Sequence, residues 1–333
     1  MYLLFSVLVV LFALLSGCTT NIRNDPSLWT IDRSHLPPAN MTARIDGLGP
    51  CTDNPDRRLH LNTNKPTIIM VHGCYASAGR FRALSEVFAF HGQQTACFTY
   101  NDRDSLMTSS AQLMSAIHQL ARRMKNRRFT LIGHSQGGLI SRKAVVEERK
   151  QSLAKDNIDL HLVTISTPFS GIAAAAHCGS TLARILSFGL IVPVCYAISG
   201  DKWYEITNAS EFIRRPGELI PQVDNFLKID TDENNTCRRF DDDGQCLESD
   251  DIFSLAEQYY PAVDNDQRVT NVQVRAGHAE IVGSRHVAPV KLIKILQAYG
   301  VMNPTAAQEQ TRLHTLLSHL YDLPAVFPLS SAQ

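Results

Sequence analysis

One turn of six residues constrains the fold of this chain more than any other feature. Phe129-Thr-Leu-Ile132 is a short apolar run; Gly133-His134-Ser135-Gln136-Gly137-Gly138 follows at once and opens a helical stretch. A serine on so sharp a strand-to-helix turn takes strained backbone angles, and side chains two residues to either side would clash, hence the glycines. The turn lifts the hydroxyl above a sheet, and the helix N-terminus beyond it favours negative charge on a substrate oxygen. An idle serine on a tight glycine turn is the bland alternative. Around this turn, apolar runs at 67–71, 95–100, 129–133 and 160–166 alternate with helical patterns near 79–91, 106–124 and 136–150. Later strands fall at 225–229 and 269–274, with closing helices near 287–299 and 305–320. Such alternation predicts an α/β fold, a mostly parallel central sheet with helices on both faces.

Composition narrows the function classes. Thirty-two Lys+Arg balance 32 Asp+Glu, so there is no basic surplus to hold nucleic acid. Apolar residues at 44% argue against disorder, collagen and coiled coil. No internal run is long enough to span a membrane without charge or proline. The N-terminus differs: the first seventeen residues carry no charged side chain, and Leu15-Ser16-Gly17-Cys18 ends the apolar run. This reads as a secretory signal over 1–17. Small residues before a cysteine resemble the lipobox of bacterial lipoproteins, which implies cleavage before Cys18, acylation of Cys18 and a stable membrane anchor. Thr19 and Thr20 follow without an Asp, a pattern similar to outer-membrane sorting, so the expected location is the bacterial cell envelope. An ordinary signal cut or an uncleaved anchor is the alternative.

Residues 18–62, polar and proline-bearing, read as a tether and irregular segment; the α/β domain spans 63–302, and 303–333 is a C-terminal helix and tail. Of eight cysteines, seven remain if Cys18 is acylated, so one free thiol or an intermolecular bond is expected. Cys237–Cys246 closes a short polar loop and Cys178–Cys195 could staple a second insertion. Cys51, Cys74 and Cys97 then share one bond and one free thiol.

From Pro66 to Gly300 the chain resembles the α/β-hydrolase superfamily, and within it the bacterial serine lipases and esterases that share the Gly-His-Ser-Gln-Gly form. The resemblance implies a nucleophile at Ser135 and an oxyanion hole from the N–H groups of Cys74, in Val71-His72-Gly73-Cys74-Tyr75, and Gln136. His72 then shapes the loop and transfers no proton; the bland reading is a strand-ending turn. The superfamily order of nucleophile, acid and histidine sends the base downstream. His278 follows the strand at 269–274 and a turn, with His286 the runner-up and His314 and His319 expected on an exposed helix. The acid is sought in 230–251. Ser249-Asp250-Asp251-Ile252-Phe253-Ser254 resembles the lipase acid loop and puts Asp250 in the acid position, with Asp251 and Asp232 as alternatives. No cofactor is expected, although Asp230-x-Asp232-x-Asn234 with Asp241-Asp-Asp-Gly244 also spaces oxygens as a structural calcium loop does. A solvated acidic turn is the default. No His and Cys group has zinc spacing.

Between Pro168 and Asp224 the rhythm of strands and helices breaks, where this superfamily carries its cap. Leu182, Ile185, Leu186, Phe188, Leu190, Ile191, Val192, Val194 and Ile198 make it apolar. It reads either as a lid that opens on lipid or as helices packed on the core. The expected activity is cleavage of carboxylic esters, of lipid or medium-chain acyl type, through an acyl-serine. An acyltransferase with the same triad and a non-catalytic surface lipoprotein are the rivals.

Overall fold

The structure is a computed structural model that describes residues 31–147, 153, 157–187, 190–241, 243–284 and 286–322. The expected signal and Cys18 lie outside the described residues. Each apolar run of the domain forms its strand: β4 (Thr67–Val71), β5 (Gln94–Phe98), β6 (Arg128–His134), β7 (Asp159–Ile165), β8 (Val223–Asp232) and β11 (Val269–Arg275). These six pair in parallel in the order β11-β8-β7-β6-β4-β5. The helices in chain order are α1 (Arg82–Phe90), α2 (Leu106–Ala121), α3 (Gln136–Ala144), α4 (Ala176–Gly179), α5 (Thr181–Leu186), α6 (Ile191–Ser199), α7 (Glu211–Arg214), α8 (Leu255–Gln258), α9 (Pro261–Asp264), α10 (Val290–Ala298) and α11 (Gln310–Leu320).

Alternation along a strand splits the core in two. Ile69 and Val71 of β4 pack with Leu113 and Ile117 of α2 and Ile140 of α3. Ile68 and Met70 face the other way, into Leu84 and Phe88 of α1, Leu292 and Leu296 of α10 and Leu317 of α11. A strand covered on both faces is apolar throughout, and β4 is buried at all five positions.

Two boundaries differ from the sequence expectation. The helix expected over 136–150 ends at Ala144: Val145 leaves helical geometry, Val146 bridges to Leu219, and Glu147 N–H donates to Glu218 C=O at 2.9 Å. Within 18–62, expected to be irregular, β1 (Met41–Ala43) pairs with β3 (Leu59–Leu61), and β2 (Leu48–Gly49) adds antiparallel to the β5 edge. The buried side chains of Ile45, Leu48, Leu59 and Leu61 hold that stretch on the core.

Disulfides join Cys178 to Cys195 and Cys237 to Cys246, the latter closing a hairpin of β9 (Cys237–Phe240) and β10 (Cys246–Ser249). Cys51 bonds Cys97 and so ties the N-terminal segment to β5, leaving Cys74 as a free thiol. The excursion at 168–224 holds α4 to α7. Arg103 donates to the C=O groups of Tyr196, Ala197 and Ile198 at 2.9–3.2 Å and so closes the C-terminus of α6. In return Glu205 accepts from Ser105 Oγ (2.8 Å) and Leu106 N–H, capping α2. Leu182, Ile185, Leu186 and Leu190 are nonetheless 65–71% exposed. Among the described residues no helix is long and apolar enough to cross a membrane.

Candidate active site

Ser135 sits between β6 and α3, at the end of the sheet where the strands finish. Its backbone takes φ 57° and ψ −128°, a conformation costing about 1–3 kcal/mol for a non-glycine residue. The cost is met by flanking bonds: its N–H donates to Ile165 C=O and its C=O accepts from Gly138 N–H, both at 2.9 Å. A Cβ on Gly133 would strike the Gly137 backbone, and one on Gly137 would strike the carbonyls of Val71 and His72. The elbow can therefore lie this close to β4 only with glycines at both places. Tyr75 and Ser166 also hold positive φ, at 52° and 47°, so strain gathers around this strand end.

Gly73 runs past Ser135: a Cβ on Gly73 would lie 2.9 Å from Ser135 Cβ. Gln136 is the first residue of α3, so its N–H has no acceptor inside the helix. His72 is buried with its Nδ1 2.9 Å from Gly73 C=O, and its ring stacks on Tyr100 at 4.4 Å. Burial lowers its pKa, which keeps it neutral and suits a loop-shaping role.

His278 follows β11 and comes to the elbow from the far side of the sheet. The buried His134 imidazole donates to His278 C=O at 3.0 Å, and the two rings lie 4.7 Å apart. Burial first, then the neighbouring His278 and Arg80, hold His134 well below the usual histidine range. His286 is exposed, and His314 and His319 lie on α11, which packs against α1.

The carboxylate that meets the histidine differs from the one expected from the sequence. The carboxylate facing His278 Nδ1 is Glu233, with Oε1 at 3.0 Å, and not Asp250. Glu233 Oε1 also accepts from Thr231 Oγ1 (2.7 Å) and Ser166 Oγ. Its Oε2 accepts the N–H groups of Ile252 and Phe253, both at 2.8 Å. Burial alone would raise the Glu233 pKa, but the bonds from His278 and Ser166 and the imidazole charge outweigh it and lower the value. Asp250 instead holds the histidine loop by its backbone. It accepts from the N–H groups of Ala279 and Glu280 at 3.0 Å and from Arg238 at 2.9 Å, and its C=O takes the His278 N–H. The two alternatives are also excluded by position. Asp251 is exposed, and Asp232 points to the opposite face of its strand end, bonded to Asn234 and 3.7 Å from Arg275.

Ser166 was not singled out by sequence. Its Oγ lies 2.8 Å from His278 Nδ1 and also bonds Glu233, so the two side chains share it. Its one signal in the sequence is that it ends the apolar run 160–166, just before the cap. The calcium spacing does not assemble: Asp230 pairs with the buried Lys228, and among the described residues no three carboxylate, imidazole or thiol side chains group as metal ligands.

Residues 67–216 match the family model of the palmitoyl protein thioesterases, less than half of the chain. No curated protein sequence matches it. Among solved structures, the Bacillus licheniformis lipase BlEst2 in propeptide form aligns at 18% identity and TM-score 0.50, over 78% of this chain and 55% of that one. The same lipase in mature form aligns at 17% and 0.47, over 77% and 97%. Esterase B from Lactobacillus rhamnosis aligns at 11% and 0.46, over 82% and 90%. At such identities the likeness extends to the fold alone.

Proposed function

The chain has the α/β-hydrolase fold, and from that premise we propose that it cleaves carboxylic esters through an acyl-serine intermediate. The observation that carries the reading is the His278–Glu233 pair, packed against His134 next to the strained Ser135. With Nδ1 turned to a carboxylate, the imidazole keeps its proton there and offers a bare Nε2 as base. Ser135 Oγ bonds to the ester carbon and gives its proton to His278, while the N–H groups of Cys74 and Gln136 receive the oxyanion. Collapse breaks the bond to the leaving oxygen, which takes the proton from His278. Water, activated by the same imidazole, then releases the acid and frees the serine.

The preferred substrates are lipid or medium-chain acyl esters, supported by the exposed leucine and isoleucine side chains on α5 and beside α6. An anchor at Cys18 in a bacterial envelope membrane would present the enzyme to such substrates. The partial match to palmitoyl protein thioesterases favours a second reading, in which the scissile bond is an acyl thioester.

Treatment of the full chain in detergent with a fluorophosphonate, followed by peptide mass spectrometry, tests the mechanism. Label on Ser135, lost in Ser135→Ala and His278→Ala, is expected; a folded protein that takes no label sinks the reading. Matched oxygen and thioester substrates of increasing chain length then separate the two classes. Mass analysis of the mature N-terminus tests acylation of Cys18.

A further inference from the structure

The cap sends one charged side chain to the floor of the site. Lys202 lies in the short turn Gly200–Trp203 that follows α6, and it is 2% exposed. Its ammonium donates to Gln136 Oε1 at 2.6 Å, to Cys74 Sγ at 3.1 Å and to Asp102 C=O. Gln136 and Cys74 are the two residues whose N–H groups make the oxyanion hole of the proposed reaction. The cap thus grips both halves of the hole through one atom. Gln136 is held further by its Nε2, which reaches the Asp102 C=O at 3.3 Å.

All three acceptors of this ammonium are neutral. Among the described residues no carboxylate forms an ion pair with Lys202, and the nearby Asp102 carboxylate is occupied by Tyr75 N–H at 2.6 Å. Burying a cation without a counter-ion is unfavourable for folding. Such a cation has a use where negative charge appears only during reaction, since a fixed charge stabilises the transition state and needs no reorganisation. The turn that carries it is well fastened: Asp201 N–H donates to Arg103 C=O at 2.8 Å, and Tyr75 O–H donates to Ile198 C=O at 3.2 Å.

We propose that Lys202 is a positioning residue of the oxyanion hole, through which the docked cap both aligns the Cys74 and Gln136 backbone and adds a positive charge behind it. The proposal rests on the acyl-serine reading. It makes cap docking a condition for turnover as well as for substrate enclosure, because a displaced cap withdraws the ammonium.

The test measures kcat and KM on a short soluble ester, with the fluorophosphonate labelling rate alongside, for the full chain, Lys202→Met and Gln136→Glu. Removing one direct oxyanion donor costs about 100- to 1,000-fold in kcat, so loss of the group behind two donors is expected to cost about 10- to 100-fold. KM should stay within about twofold, because charge on the oxygen develops after binding. Gln136→Glu guards against a Lys202→Met protein that fails to fold. A carboxylate there gives Lys202 a stronger anchor but cancels its charge, so the proposal expects kcat to fall while the fold holds. Wild-type turnover in folded Gln136→Glu or folded Lys202→Met overturns the proposal while the wild type still labels on Ser135. Failure of the wild type itself to label overturns the acyl-serine reading and this one with it.

Discussion

Replacing Glu233 by glutamine exchanges one oxygen for an NH2 group, and the neighbours dictate where that group goes. Oε2 receives two backbone N–H groups, from Ile252 and Phe253, and neither can become an acceptor. The amide oxygen must stay there, and the NH2 falls at the Oε1 position, 3.0 Å from His278 Nδ1. The hydroxyls of Ser166 and Thr231 can rotate to accept from it. His278 can accept only by moving its proton to Nε2, which removes the base. A triad held in the wrong tautomer with its geometry intact loses about 10⁴ in kcat, equivalent to about 5.4 kcal/mol at 1.36 kcal/mol per tenfold. The two backbone donors keep their acceptor and the hydroxyls reverse direction, so the melting temperature should fall by only a few degrees. The assay is kcat on a chromogenic ester beside a thermal melt. A folded Glu233→Gln with more than about a tenth of wild-type turnover would refute the assignment of the acid.

Asp250→Asn should do the opposite. It weakens the Arg238 pair and the two N–H bonds that hold the histidine loop, costing about 3 kcal/mol in urea unfolding, while kcat under native conditions falls less than about tenfold. Glu233 also predicts a pH signature: its folded pKa lies below the ordinary 4.5, so its contribution to stability is complete above pH 4.5 and is lost as pH falls through the folded value. Urea midpoints measured between pH 7 and pH 3 should therefore drop more steeply for wild type than for Glu233→Gln; parallel curves would contradict the lowered pKa. Replacing both Cys51 and Cys97 by serine opens a loop of sequence separation 46 and should lower stability by up to about 4 kcal/mol in the chain-entropy account, read from urea midpoints under oxidising conditions.

The sheet was legible because its strands are buried on both faces and carry their apolar side chains without interruption, as in Thr67–Val71. The elbow was legible because close approach leaves glycine no substitute. The acid was not, for a reason of geometry. β8 runs on to Asp232, and alternation turns Asp232 toward Arg275 and its neighbours Thr231 and Glu233 toward His278. The alternative at Asp232 lies one residue short of the carboxylate that contacts His278. Asp250 drew attention through a resemblance in local sequence, yet its carboxylate is spent on the backbone of Ala279 and Glu280. Lys202 carried no signal at all: a lysine in a cap reads as solvated, and only the turn after α6 shows that it points inward.

The order of the chain has a consequence in time. The proposed nucleophile, oxyanion residues and acid all precede residue 234, whereas the proposed base lies beyond β11, an edge strand that among the described residues pairs with β8 alone. A chain still emerging from a ribosome can present Ser135 long before His278 stands beside it. Esters met during that interval are met by a serine with no general base. On the proposed assignment the hydrolytic centre comes into being only after β11, so the nascent chain presents an inert surface until synthesis is nearly complete.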